Sequence, residues 1–208
     1  EARKRGLLAA LNNDGSGRNV LNIAEGGYQT VMSLLQTMKE KATQASDGSL
    51  SSTQRTALDN QVTALIAEVE DIVDETTFNG MSLIDGTYET SGIKFHTGAG
   101  GSDELEVKLN NSDSSASGLN ITAVDLSSAN GASTAIGTID SAISTLSTAI
   151  QQVGEYQTRF AAKEENLAVA ISNTESARSV IEDADFASEQ MEIMKLQILQ
   201  RTGLSSLV

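Results

Sequence analysis

The side chains best suited to chemistry in this chain are its carboxylates, a single histidine and two glycine-rich runs. Asn12, Asp14, Ser16 and Gly17 have the spacing that opens a calcium loop, in which alternate oxygens converge on a hard cation. The twelfth position, where a bidentate Glu is required, holds Ile23. His96 has neither a second imidazole nor a cysteine to complete a metal site or a triad, so a surface side chain is expected. Gly98, Gly100 and Gly101 lack the Gly-Lys-Ser/Thr ending of a phosphate loop and open no helix, which makes them a turn. Glu68, Glu70, Asp71, Asp74 and Glu75 crowd one stretch, and Glu164 and Glu165 another. Paired carboxylates can do acid–base work, but an amphipathic helix also solvates its outer face with such charges. None of these groupings specifies a reaction, and no catalytic, cofactor-binding or metal-binding residue is assigned.

The elements that carry these residues are long helices. From Ile136 the inward-fitting positions run Ile139, Ile143, Leu146, Ile150, Val153, Gln157, Phe160, Glu164, Leu167, Ile171 and Thr174. Steps of three and four alternate without a slip, the seam of a helix laid along another helix. About 40 residues at a rise of about 1.5 Å make a helix about 60 Å long, too long to be covered by its own globule. Val20, Ala24, Tyr28, Val31, Leu35, Met38, Ala42 and Ala45 form a second seam, read as a helix over about 18–46. Asn12 to Gly17 reads as a break ahead of it on intrinsic propensity, with extension of the helix back through the glycines as the alternative if partner helices hold it. Ser51 with Gln54 makes a capping box, and Leu58, Val62, Leu65, Val69 and Ile72 repeat the seam in a third helix, antiparallel to the one before it.

Composition agrees with a thin aliphatic bundle: 39% hydrophobic, 3% aromatic and no proline among 208 residues. The net charge of −14 has the wrong sign for gripping a nucleic-acid backbone, so that partner is excluded. No apolar run approaches the roughly 18 residues of a membrane span. Glu1 is not a natural start, and the chain reads as a fragment.

Between 76 and 130 the period changes. Runs at 92–97 and 104–109 read as strands of a hairpin joined through 98–103, and 110–118 as a polar, solvent-facing loop. After Ile181 an apolar pattern resumes through Phe186, Met191, Met194, Ile198 and Leu199, with a register shift near Asp183 and Asp185 that predicts a joint. This last face has no evident partner within the chain. The fold class is therefore mainly α: an elongated, rod-like antiparallel bundle of three long helices with a small β-hairpin-containing insertion. The expected segments are 1–87, an N-terminal helical half; 88–130, hairpin and loops packed on the rod; 131–182, a long C-terminal helix; and 183–208, the start of a terminal-domain helix.

Several ordered motifs carry a resemblance. Thr77-Phe78-Asn79-Gly80 followed by Met81-Ser82-Leu83-Ile84-Asp85-Gly86 resembles the T-x-F-N-G-x-x-L-L-D-G signature of bacterial flagellins. Ala24-Glu25-Gly26, Leu35-Gln36, Glu40 and Gln44-Ala45 are similar to the family's A-E-G-A-L and L-Q-R-x-R-E-L-A-x-Q-A segments. Gly154, Gln157, Arg159, Asn166-Leu167, Asp183, Asp185, Ala187 and Glu189 fall where its C-terminal motifs would, and Gln200 and Gly203 fit the family's next segment.

The resemblance implies a structural, non-enzymatic subunit of the flagellar filament, exported and assembled outside the cell by helix–helix packing. It implies other flagellin subunits as the main partner, with an export chaperone and a filament cap besides, and no cofactor. Leu35, Met38, Gln157, Arg159, Asp183, Asp185, Met191, Met194 and Ile198 are the expected subunit contacts, and Phe78, Asn79 and Gly80 the signature turn. In the segment read by the animal innate immune receptor for flagellin, Gln36, Glu40 and Glu68 match the family, whereas Thr37 and Lys41 replace an arginine and a leucine. Loss of a planar multi-donor anchor and burial of a lysine predict weak receptor activation or none. The alternatives are the hook–filament junction protein, which shares such ends, and a ligand-sensing bundle, which needs a pocket between helices.

Overall fold

The computed structural model describes residues 2–205, except the side chains of 183–185, 187, 204 and 205. The elements in order are α1 (Ala2–Ala45), α2 (Ser52–Glu75), β1 (Thr77–Phe78), β2 (Met81–Ser82), α3 (Thr87–Ser91), β3 (Ile93–His96), β4 (Glu104–Val107) and α4 (Ala129–Ser205). The three long helices are those the apolar seams predict.

α1 and α4 lie antiparallel. Lys4 pairs with Glu175, Arg18 with Glu164, Gln157 with Glu25 and Lys39 with Asp140, one number rising as the other falls. Two boundaries depart from local propensity. α1 takes the alternative that runs through the glycines at 12–17, and α4, against expectation, shows no joint near 183. In both cases burial against a partner or continuation of a long helix overrides weak local preference.

The α1 seam explains the first difference. Its buried stripe runs Leu7, Ala10, Asp14, Gly17, Leu21, Ala24, Tyr28, Val31, Leu35, Met38, Ala42 and Ala45, spaced alternately by three and four, with Val20 and Gly27 buried beside it. Gly17 belongs to this stripe because the Phe160 ring occupies the space a Cβ would need. On α4 the fully buried stripe is Ala132, Ala135, Ile139, Ala142, Leu146, Ala149, Val153, Tyr156 and Phe160. Ile136, Ile143 and Ile150 flank it, half-buried, so alanines hold positions along the centre of the contact.

α2 returns along α1 after a short loop. Ser51 and Gln54 form the reciprocal capping box, at 3.3 Å and 2.9 Å. Arg55 fastens the loop by donating to the carbonyls of Ala45, Asp47 and Leu50 at 2.6–2.9 Å, which satisfies acceptors left open at the end of α1.

The middle segment is packed, not draped. β3 and β4 pair antiparallel from Ile93 opposite Val107 to His96 opposite Glu104, with 97–103 as the connection. Phe95 meets Phe160 edge-on, centroids 5.5 Å apart, so the hairpin is keyed to α4. The 110–118 loop departs from the solvent-facing expectation: Asn111, Ser112 and Ser114 are buried. Its backbone finds partners that composition does not reveal. The Ser114 amide donates to the Glu70 carboxylate at 2.6 Å, the Ser112 amide to the Ile84 carbonyl, and Tyr28 donates to the Asn110 carbonyl at 2.8 Å.

Candidate functional site

The residues whose types and spacing were weighed for chemistry have structural places. Asn12 to Ile23 is continuous helix, so the calcium-like spacing forms no loop. Glu70 holds the 110–118 loop, Glu164 accepts from Arg18 at 2.8 Å, and the His96 carbonyl accepts from the Asn13 amide at 3.1 Å. Gly98 and Gly100 crowd the Asp103 side chain, which accepts from the Gly100 amide and shapes the hairpin turn. Among the described residues no cluster of three or more His, Asp or Glu could hold a metal ion.

The expected contact residues divide into two groups. Leu35 and Met38 are fully buried inside the chain, within the core shared by the long helices, so they have no surface to give a neighbour. Gln157 is also engaged internally, donating to Glu25 at 2.7 Å and to Asn22 at 3.2 Å. It interrupts the apolar seam with a cross-helix polar pair. Arg159 is exposed and lies over the Tyr156 ring, 5.5 Å from its centroid. The side chains of Asp183 and Asp185 lie outside the described residues.

Met191, Met194 and Ile198 are exposed by 54–64%. Apolar neighbours outside the expected contact set are exposed too, by 39–70%: Val180, Ile181, Ile193 and Leu196, together with Phe186 and Leu199. At about 100° per residue, Val180, Met191, Met194 and Ile198 form one stripe, whereas Phe186 and Ile193 fall near the opposite side. A helix apolar on opposite sides is a helix meant to be surrounded. In the sequence these residues show as an apolar excess spread around the whole helix and not along one face.

The signature turn is a two-residue hairpin loop. Phe78 pairs with Met81, and Asn79 and Gly80 between them have φ of 51° and 79°. Positive φ at both central positions marks the tight turn that favours Asn-Gly. In the receptor-like segment Gln36, Glu40 and Glu68 are exposed, and Thr37 and Lys41 are half-buried. Thr37 donates back to the Ser33 carbonyl.

These features define a class first: a helical rod whose own core is filled and whose apolar end awaits neighbours, which is an assembly subunit. Two family models match the chain, the bacterial flagellin N-terminal helical region over residues 1–89 and the C-terminal helical region over 136–208. A flagellin of Halalkalibacterium halodurans is 32% identical over 206 residues, covering 99% of this chain and 75% of that one. A flagellar filament 30.7 kDa core protein of Treponema maltophilum is 29% identical over 214 residues, with 98% and 75% covered. Bacillus cereus flagellin shares the fold at a TM-score of 0.58 with 24% identity, covering 78% of this chain and 88% of that one. A putative flagellar hook-associated protein of Vibrio parahaemolyticus shares it at 0.69 with 11% identity, covering 84% and 92%, a likeness of fold alone. This chain belongs to the bacterial flagellin family.

Proposed function

We propose that the chain is a structural subunit of a bacterial flagellar filament, working outside the cell in swimming motility and performing no catalysis. The observation that carries this reading is the end of α4, apolar on opposite sides and exposed, in a chain of the flagellin family. One stripe would call for a dimer; two call for neighbours on several sides, as a helical polymer supplies. Met191, Met194 and Ile198 are assigned to the subunit contact, with the exposed Arg159 as a polar contact elsewhere on α4. Leu35, Met38 and Gln157 serve the fold instead. The same apolar face suits an export chaperone before assembly and a filament cap during growth.

The test is genetic and microscopic. Expression of the gene that encodes this chain in a bacterium lacking its own flagellin should give filaments by electron microscopy and restore swimming. Export without filaments would refute the reading. For the innate immune receptor, the half-buried Lys41 and the missing arginine at Thr37 support weak activation. A reporter-cell response equal to that of a strongly recognised flagellin would overturn that.

A further inference from the structure

The buried apolar residues of the α1/α4 contact fall into two clusters. The main cluster ends at Val20 and Phe160, and a second, small one forms beyond it from Leu7, Ala10 and Leu167, flanked by Leu11, Ala170 and Ile171. Between them the α1 seam contains only Asp14 and Gly17. Asp14 is fully buried, and neither carboxylate oxygen has a hydrogen-bond partner. A buried carboxylate without donors is costly when ionised and cheap when protonated. The same stretch, Asn12 to Gly17, is the poorest helix former in α1, so little but packing holds it.

We propose that Asp14 is a proton-operated latch for this end of the rod: with a neutral carboxyl, residues 2–14 of α1 seat on 163–171 of α4, and with a charged one they release. The charges around it are few. From α4, Glu164 opposes ionisation and Lys163 favours it; on α1, Arg18 pairs with Glu164 at 2.8 Å. From the hairpin, Lys94 and Glu104 pair with each other at 3.5 Å, and His96 presents its carbonyl to Asn13. Burial first, and Glu164 second, push the Asp14 carboxyl up from 3.8 to about 6.

The sign follows from proton linkage. The seated form binds the proton more tightly than the released form, so seating is strongest below the ordinary carboxylate value. It weakens as pH rises and is weakest once pH has passed about 6. Glu175, farther along α4, works the other way: a hydrogen bond from Lys4 holds its carboxyl low, so its stabilisation is present at neutral pH and lost on acidification. Only a difference between variants isolates Asp14.

Hydrogen exchange on the 208-residue chain reads the latch directly. After correction for intrinsic rates, protection at residues 5–13 should fall at least tenfold between pH 4.5 and 7.5, while residues 24–45 hold constant. The displacement from 3.8 to about 6 caps the fall at roughly a hundredfold. Asp14→Asn and Asp14→Leu should each make the response flat relative to Asp14, and Glu164→Gln should move its midpoint to lower pH. Protection independent of pH, an undiminished response in both Asp14 variants, or an unmoved midpoint in Glu164→Gln would each overturn the latch. The latch concerns a single chain, so its failure leaves the filament reading standing.

Discussion

Gly17 shows how one residue reconciles poor propensity with a necessary place. Glycine inside a helix costs about 1 kcal/mol relative to alanine, yet a methyl group here would enter the Phe160 ring. Gly17→Ala should therefore lower stability by about 1–2 kcal/mol in chemical denaturation, although propensity alone predicts a gain, because overpacking costs about 1–3 kcal/mol. Tyr28 makes the complementary case. Burial pushes its phenol above the ordinary range, and its hydroxyl donates to the Asn110 carbonyl. Tyr28→Phe should cost about 1–2 kcal/mol, measured the same way, by leaving that acceptor unpaired. The place of Asp14 and Gly17 was legible in principle: counting down from Ala24 by threes and fours lands on Leu21, Gly17, Asp14, Ala10 and Leu7. It was hidden because composition says break where periodicity says seam. The Phe160 ring that decides between them lies 143 positions away in the sequence, at 160 against 17.

At the scale of elements, regular pattern was readable and irregular packing was not. Helix seams, the Ser51–Gln54 box and the β3–β4 hairpin are consequences of spacing. The buried loop at 110–118 is not, because the amides of Ser112 and Ser114 reach the distant Ile84 carbonyl and Glu70 carboxylate, and Asn111 is held by Asp113 and Ser117 of the loop itself. Two carboxylates on α2 secure the irregular segments between β4 and α4: Glu70 accepts from Ser114, and Asp59 accepts from the Leu126 amide at 2.7 Å. Glu70→Ala should cost about 1–3 kcal/mol, since a part-buried amide then loses its acceptor. Loosened exchange at 112–121, with α4 amides unaffected, would locate the damage. The partners of Gln157 change the outcome expected of its replacement. Removing it abandons Glu25 and Asn22, so Gln157→Leu should give no clear gain in thermal stability, where a merely tolerated polar interruption would give one.

For the whole molecule the uncovered end of α4 separates folding from assembly. Ile198→Glu should leave the thermal midpoint within about 1 °C, since an exposed side chain contributes little to the fold. In the cell-based test the same exchange should abolish filaments, because it places a charge on the contact surface. A shifted midpoint would mean that the residue serves the fold, as Leu35 and Met38 do. The sequence disclosed that an apolar face was left over, but not that it wraps the helix, because seam spacing picks out one stripe and the residues off it have no regular period of their own.

α4 spans 77 residues, and past Arg178 every described side chain along it is exposed. Arg178 stands at the start of that bare stretch, and Lys195 and Arg201 lie within it. Dilute trypsin should therefore shorten the molecule from this side first, leaving a resistant piece that ends near Arg178, and packing into a polymer should shield all three bonds from the protease.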